Sequence, residues 1–290
     1  MVKVDWLDQV ETLLLLRDPQ EKAIQSRALY KKWSACSETL ESAQVYSGTK
    51  STVRVLEEPG RLDRPALVDA SRLPKRGLGS PVGRVGLLHS LAHIEFNAIN
   101  LALDAVYRFR DMPIEYVTDW LRVASDEGEH FLLLSNRLKT LDSYYGALDA
   151  HDGLWDMARR TDHDVLVRMA LVPRILEARG LDVAPPMAKK LRHVGDEESA
   201  KILDRIYQDE ITHVEVGNRW FRYVCEQRDL NGVSVFRDLL NGENSAYLRS
   251  PYNDAARLQA GFTREEMAVI REMETEYAEY KNKHNSRTKA

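Results

Sequence analysis

Two short stretches of the chain carry the same order of reactive groups. Residues 126–130 read DEGEH and residues 209–213 read DEITH, each an Asp-Glu pair, a two-residue gap and a His. On a helix, residues three apart project from one face. Glu127 with His130, and Glu210 with His213, can therefore each offer a carboxylate oxygen and an imidazole nitrogen to a metal ion. Asp126 and Asp209 stand four residues before those histidines. A carboxylate is the expected acceptor for the second ring N–H of a metal-bound imidazole. The spacing leaves open whether each Asp serves its own His or the one across the site.

Partner acids are found by asking which side of a helix each carboxylate shares. Around Glu95 the same-face residues are Leu88, Leu91, Ala92, Ala98, Ile99 and Ala102, all apolar. Trp120, Val123, Ala124, His130, Phe131 and Leu134 surround Glu127, and Leu203, Ile206, Tyr207, His213, Val214 and Gly217 surround Glu210. Glu177 has a less uniform set, with Arg174 among Ala170, Pro173, Gly180 and Leu181. Glu129 and Glu215 share mixed faces and are expected at the periphery.

A buried ionised carboxylate costs several kcal/mol and otherwise takes up a proton. Four converging in one core call for a strong countercharge, which two divalent cations supply. The intervals agree: Glu95 precedes Glu127 by 32 residues and Glu177 precedes Glu210 by 33. Dinuclear carboxylate bundles take one Glu from each of two helices and Glu-x-x-His from each of two others. The candidate ligands are thus Glu95, Glu127, His130, Glu177, Glu210 and His213.

Other groups carry weaker signals. His89 and His93 are four apart, but His93 shares its face with Ser90, Asn97 and Asn100, and the pair is expected at the surface or behind the ligands. His151 and His163 are expected as solvated loop histidines. Tyr207, one turn before Glu210, is expected in the core with its hydroxyl satisfied, a redox-active phenol being the alternative. Arg174 could pair with a ligand, gate a substrate or lie at the surface. Pro173 should kink its helix and release a carbonyl.

These residues need helices to position them. Asp18-Pro19 with Glu21 opens a helix expected to run to about Tyr46. Residues 47–80 read as a loose connection with at most a short extended piece. Ser80-Pro81 begins a helix to about Arg110, and Asp111 with Pro113 begins one to about Leu141. A third spans about Thr161 to Arg179, with Gly180 as its expected terminator and PPMAKK as a further break. After Gly195-Asp196 a long helix runs to about Gln227, and a charged helix begins at Thr263 with Glu265 and Glu266 in its first turn. No alternating pattern lasts long enough for a sheet. The expected fold is all-α: a four-helix bundle over residues 81–228 with one long crossover, preceded by helices and a linker over 1–80 and followed by an extension over 229–290.

Composition narrows the setting. The 290 residues are 43% apolar with a net charge of −4 and interspersed signs, which gives no general attraction to nucleic acid or anionic membrane. Lys189, Lys190 and Arg192, and Lys75 with Arg76, read as solvated surface. Cys36 and Cys225 are far apart, against a disulfide scaffold and consistent with a reducing cytoplasm. The four leucines at 13–16 are too few for a signal peptide or a membrane span.

The stretches LAHIEFNAINLALDAVYRF, ASDEGEHFLLL, YYGALDAHDGLW, LVPRILEARGLDV and IYQDEITHVEVGNRWF, in that order over about residues 20–260, resemble a family of bacterial ferritin-like proteins of unknown function. More distantly the chain is similar to rubrerythrins and to the di-iron hydroxylase of isopentenylated adenosine in tRNA. The resemblance implies a ferritin-like bundle with all six ligand positions filled. Its expected cofactor is two metal ions, iron first, with manganese or a mixed pair as alternatives. The expected function is an oxygen-activating oxidase or hydroxylase using dioxygen, a small-molecule substrate and an electron donor. A non-catalytic iron-binding or ferroxidase role and a tRNA-modifying hydroxylase are the alternatives; a nucleic-acid partner would need a basic, aromatic-lined approach that the scattered lysines do not announce.

Overall fold

The computed structural model describes residues 6–37, 53–54, 56–74 and 76–287. Among these the chain is all-helical, with one isolated bridge, Leu67 to Ala150, and no strand. The α-helices are α1 (Trp6–Leu15), α2 (Pro19–Ser34), α3 (Pro81–Arg108), α4 (Ile114–Lys139), α5 (Gly153–Arg160), α6 (Val165–Leu171), α7 (Ala178–His193), α8 (Glu197–Gln227), α9 (Gly232–Leu240), α10 (Asp254–Gln259) and α11 (Arg264–Arg287). A π-helical turn, Val172–Glu177, links α6 to α7. No described helix is long and apolar enough to cross a membrane.

The chain divides into two compact units, Met1–Asp162 with Ala188–Leu203, and His163–Met187 with Asp204–Ala290. In the first unit α3 packs along α4, α2 covers α4, α1 lies against α2 and α3, and α5 against α3. In the second, α9 packs against α6 and α11.

Local chemistry accounts for most helix ends. Asp18 accepts from the N–H of Glu21 at 2.8 Å with Pro19 in the first turn, and Ser80 accepts from Gly83 at 3.1 Å ahead of Pro81. Such caps satisfy N–H groups that have no partner within the helix. Thr263 and Glu266 form a reciprocal box: Glu266 N–H donates to Thr263 Oγ1 at 3.1 Å, and Thr263 N–H to Glu266 Oε2 at 2.8 Å. α2 stops at Ser34, and residues 38–46 of the helix expected there lie outside the described residues.

The expected stop at Gly180 is overturned. The chain continues helically past it to His193, and Pro185 and Pro186 lie inside α7. A proline in a helix removes one N–H and releases the carbonyl four residues earlier. For Pro185 that carbonyl belongs to Leu181, and Asn253 Nδ2 donates to it at 3.2 Å. A partner 72 residues away thus offsets the local break. The terminator is Gly195, at φ +79°, where Asp196 N–H reaches Leu191 O at 2.9 Å and Gly195 N–H reaches Arg192 O at 3.0 Å, the paired closure of a left-handed cap.

Lys22 is fully buried in the first unit. Its ammonium reaches Leu14 O at 3.1 Å, Gly60 O at 2.8 Å and Asn100 Oδ1 at 2.6 Å. Burial lowers its pKa to about 7, while the three acceptors match the three N–H bonds of the charged form.

Candidate metal centre

The middle of α3 is almost wholly buried, and Glu95 is buried with it at 3% exposure. On α4, Trp120, Val123, Ala124, Phe131 and Leu134 form the buried stripe, and Glu127 and His130 lie in it fully enclosed. His130 Nδ1 is 3.3 Å from Glu127 Oε2 and 3.4 Å from Glu95 Oε2. One ligand atom from each of the three residues lies within 4.8 Å of the others. Burial raises the Glu95 carboxyl well above the usual range, and the neighbouring charge of Glu127 raises it further, against a smaller opposing effect of His130. Two carboxylates and an imidazole meeting in a dry interior form a donor set suited to a divalent cation, and a cation would relieve the repulsion between the acids.

The second unit holds the other Glu-x-x-His. Glu210 is 7% exposed and His213 is 1% exposed, with His213 Nδ1 3.6 Å from Glu210 Oε1. Leu203, Ile206 and Val214 on the same stripe are buried, and Tyr207 is half-buried, its hydroxyl accepting from Asn253 Nδ2 at 3.3 Å. Glu177 ends the π-helical turn; the residue is half-exposed but both carboxylate oxygens are buried. The turn begins beside Pro173, where a missing N–H disturbs the i to i−4 ladder. α8 approaches that proline closely at Gly217, where a Cβ would lie 2.3 Å from Pro173 Cβ.

Other expected positions resolve less uniformly. Asp126 pairs with Arg122 at 3.8 Å, and Asp209 with Arg205 at 2.6 Å, each along its own helix. Glu129 and Glu215 are peripheral, paired with Arg27 at 3.4 Å and Arg219 at 3.6 Å. His163 is exposed, whereas His151 is half-buried and its Nδ1 accepts from Gly153 N–H at 3.1 Å. Lys189, Lys190, Arg192 and Arg76 are exposed, and Cys36 and Cys225 are free thiols.

Two readings are corrected. Of the two places expected for His89 and His93, the surface is overturned: they are 1% and 7% exposed. His89 Nε2 accepts from Gly146 N–H at 2.9 Å, while His93 bonds Tyr145 Oη at 2.9 Å and His151 O at 3.0 Å. The polar face of α3 is covered by a segment more than fifty residues later, which periodicity along α3 does not reveal. Arg174 is neither at the surface nor paired with Glu177. It is fully buried between Phe221 and Phe236, bonded to Asn218 Oδ1 at 2.8 Å and ion-paired with Glu266. Lys22 carried no sequence signal; only its burial in an otherwise amphipathic helix distinguishes it.

Fold and site together define an all-helical protein with buried Glu/His donors able to hold metal. The chain belongs to the family described as protein of unknown function DUF455, whose model matches residues 15–268. It is 40% identical over 279 residues to a Haemophilus influenzae protein described as uncharacterized, covering 94% of this chain and 96% of that one. No solved structure matches it.

Proposed function

We propose that the protein is a dinuclear metal protein of the ferritin-like class, and that it acts as an oxygen-activating oxidase or hydroxylase. Glu95, Glu127 and His130 would hold one half of the metal pair and Glu177, Glu210 and His213 the other. The observation that carries this reading is the meeting of Glu95, Glu127 and His130 in a sealed interior. Without a cation, burial and the neighbouring charge of Glu127 hold a proton on Glu95. The Glu-x-x-His repeated on α8 supplies a matching set.

Bound iron, or manganese, would supply electron transfer to dioxygen, which no side chain here can perform. The chain's own residues do the rest. The apolar stripe around Glu127 excludes water, and the buried carboxylates would hold the ions and balance their charge. Asp126 and Asp209 are proposed to support the histidines. Handling of iron without a separate substrate is the second reading, and it shares the same ligands.

Metal content per chain, on protein purified without a tag, tests the proposal together with optical spectra before and after ferrous iron and air. About two metal ions per chain and iron oxidation are expected, both lost in Glu127→Ala. Folded protein that binds no metal and oxidises no iron would overturn it. A size measurement separates a storage cage, many times the mass of one chain, from a small enzyme.

A further inference from the structure

A cleft of about 310 Å³ opens beside α3 in the first unit, between Arg72, Leu73, Pro74 and Arg76 on one side and residues 147–151 on the other. His89 lines it although only 1% of the residue is exposed. Its Nε2 accepts two backbone N–H groups, from Gly146 at 2.9 Å and Leu148 at 3.4 Å. A ring nitrogen that accepts hydrogen bonds carries no proton, so the hydrogen of this imidazole is on Nδ1. Among the described residues nothing accepts from Nδ1. The ring lines the cleft, where an acceptor for that N–H can stand.

Two cations share that cleft. Arg76 lies across the bare backbone of α3 at Gly86, where a Cβ would come within 3.3 Å of Nη1 and 3.4 Å of Cδ. Neither the Arg72 nor the Arg76 guanidinium forms an ion pair or hydrogen bond among the described residues. The acid at the rim, Asp149, is engaged by Arg64 at 3.2 Å. The remaining wall is largely apolar, with Leu73, Ile94 and Leu154.

We propose that this cleft binds a small organic anion, a carboxylate or phosphate head on a short apolar body. The head is held by His89 Nδ1–H, Arg72 and Arg76, and the body lies against Leu73, Ile94 and Leu154. Guanidinium groups and a neutral N–H donor together recognise an oxyanion, and the apolar wall favours a carbon chain over a bare ion. None of the proposed metal ligands takes part, so this site stands whether or not metal binds.

The test is calorimetry on the full chain, without added metal, using hexyl phosphate, hexanoate and inorganic phosphate as probes. Histidine-ring NMR on the same samples follows His89. At least one alkyl anion should bind saturably and shift the His89 ring signal. Binding should weaken at least tenfold in the double variant Arg72→Ala/Arg76→Ala, whose side chains are exposed. It should also weaken in Gly86→Leu, which unseats Arg76 without removing its charge. The tighter of the two alkyl anions identifies the head group. No saturable binding of either, or equal binding by the double variant, would overturn the site. Inorganic phosphate binding as tightly as the alkyl anions would overturn the amphiphilic ligand class.

Discussion

Glu95 and Glu127 share an interior that would suit neither alone. Burial and the Glu127 charge hold the Glu95 carboxyl above its ordinary range, so the metal-free folded state keeps a proton that the unfolded chain releases near pH 4.5. That linkage makes the metal-free protein lose stability as pH rises from about 4.5 toward the folded-state value. Glu95→Gln removes the titration. The metal-free variant should unfold at a higher temperature than metal-free wild type at pH 8, with the gap closing near pH 4. A gap that does not change with pH would break the link. His89 runs the other way: burial, with Arg76 nearby, lowers its pKa to about 4. Its contribution is present above pH 6.5 and is lost as pH falls toward 4, and His89→Gln should flatten the acid limb of an unfolding titration. The acids were legible because each interrupts an apolar stripe. His89 was not, because its covering partners, Gly146 and Leu148, are remote in sequence.

At the scale of the element, the π-helical turn before Glu177 depends on a proline and on the helix surface facing it. Gly217→Ala would place a Cβ 2.3 Å from the Pro173 ring, and overpacking of this kind costs about 1–3 kcal/mol. Urea denaturation should register that loss, and adding Pro173→Gly, which removes the facing Cβ, should restore part of it, a coupling that a double-mutant cycle isolates. Simple additivity would show that the two residues do not press on each other. Caps written locally were readable in sequence: Asp18, Ser80 and Thr263 all serve at the ends assigned to them. Gly180 misled because glycine permits a left-handed turn without requiring one. The proline pair misled because the acceptor left by Pro185 is satisfied from Asn253, beyond any local window.

For the whole molecule, metal should act as a ligand of the folded state. Ferrous or manganous ion at about 100 times its dissociation constant should add about 2.7 kcal/mol of stability, measured anaerobically by thermal unfolding. Glu127→Ala should show no such gain; an equal gain would place the bound metal elsewhere. The order of long helices was readable because each is an extended periodic run. The division into compact units, with residues 188–203 joining the first, was not, since contacts between distant segments leave no periodic trace. Lys22 ties the end of α1, Gly60 and α3 at one buried nitrogen. Burial holds its pKa near 7, so part of the amine is unprotonated at neutral pH, yet no reagent can reach it in the closed fold. Acylation of Lys22 must therefore wait for α1, α2 and the Gly60 segment to part. Peptide mapping of that single adduct over time would time the opening of the N-terminal region, with the exposed lysines of the same chain as an internal clock.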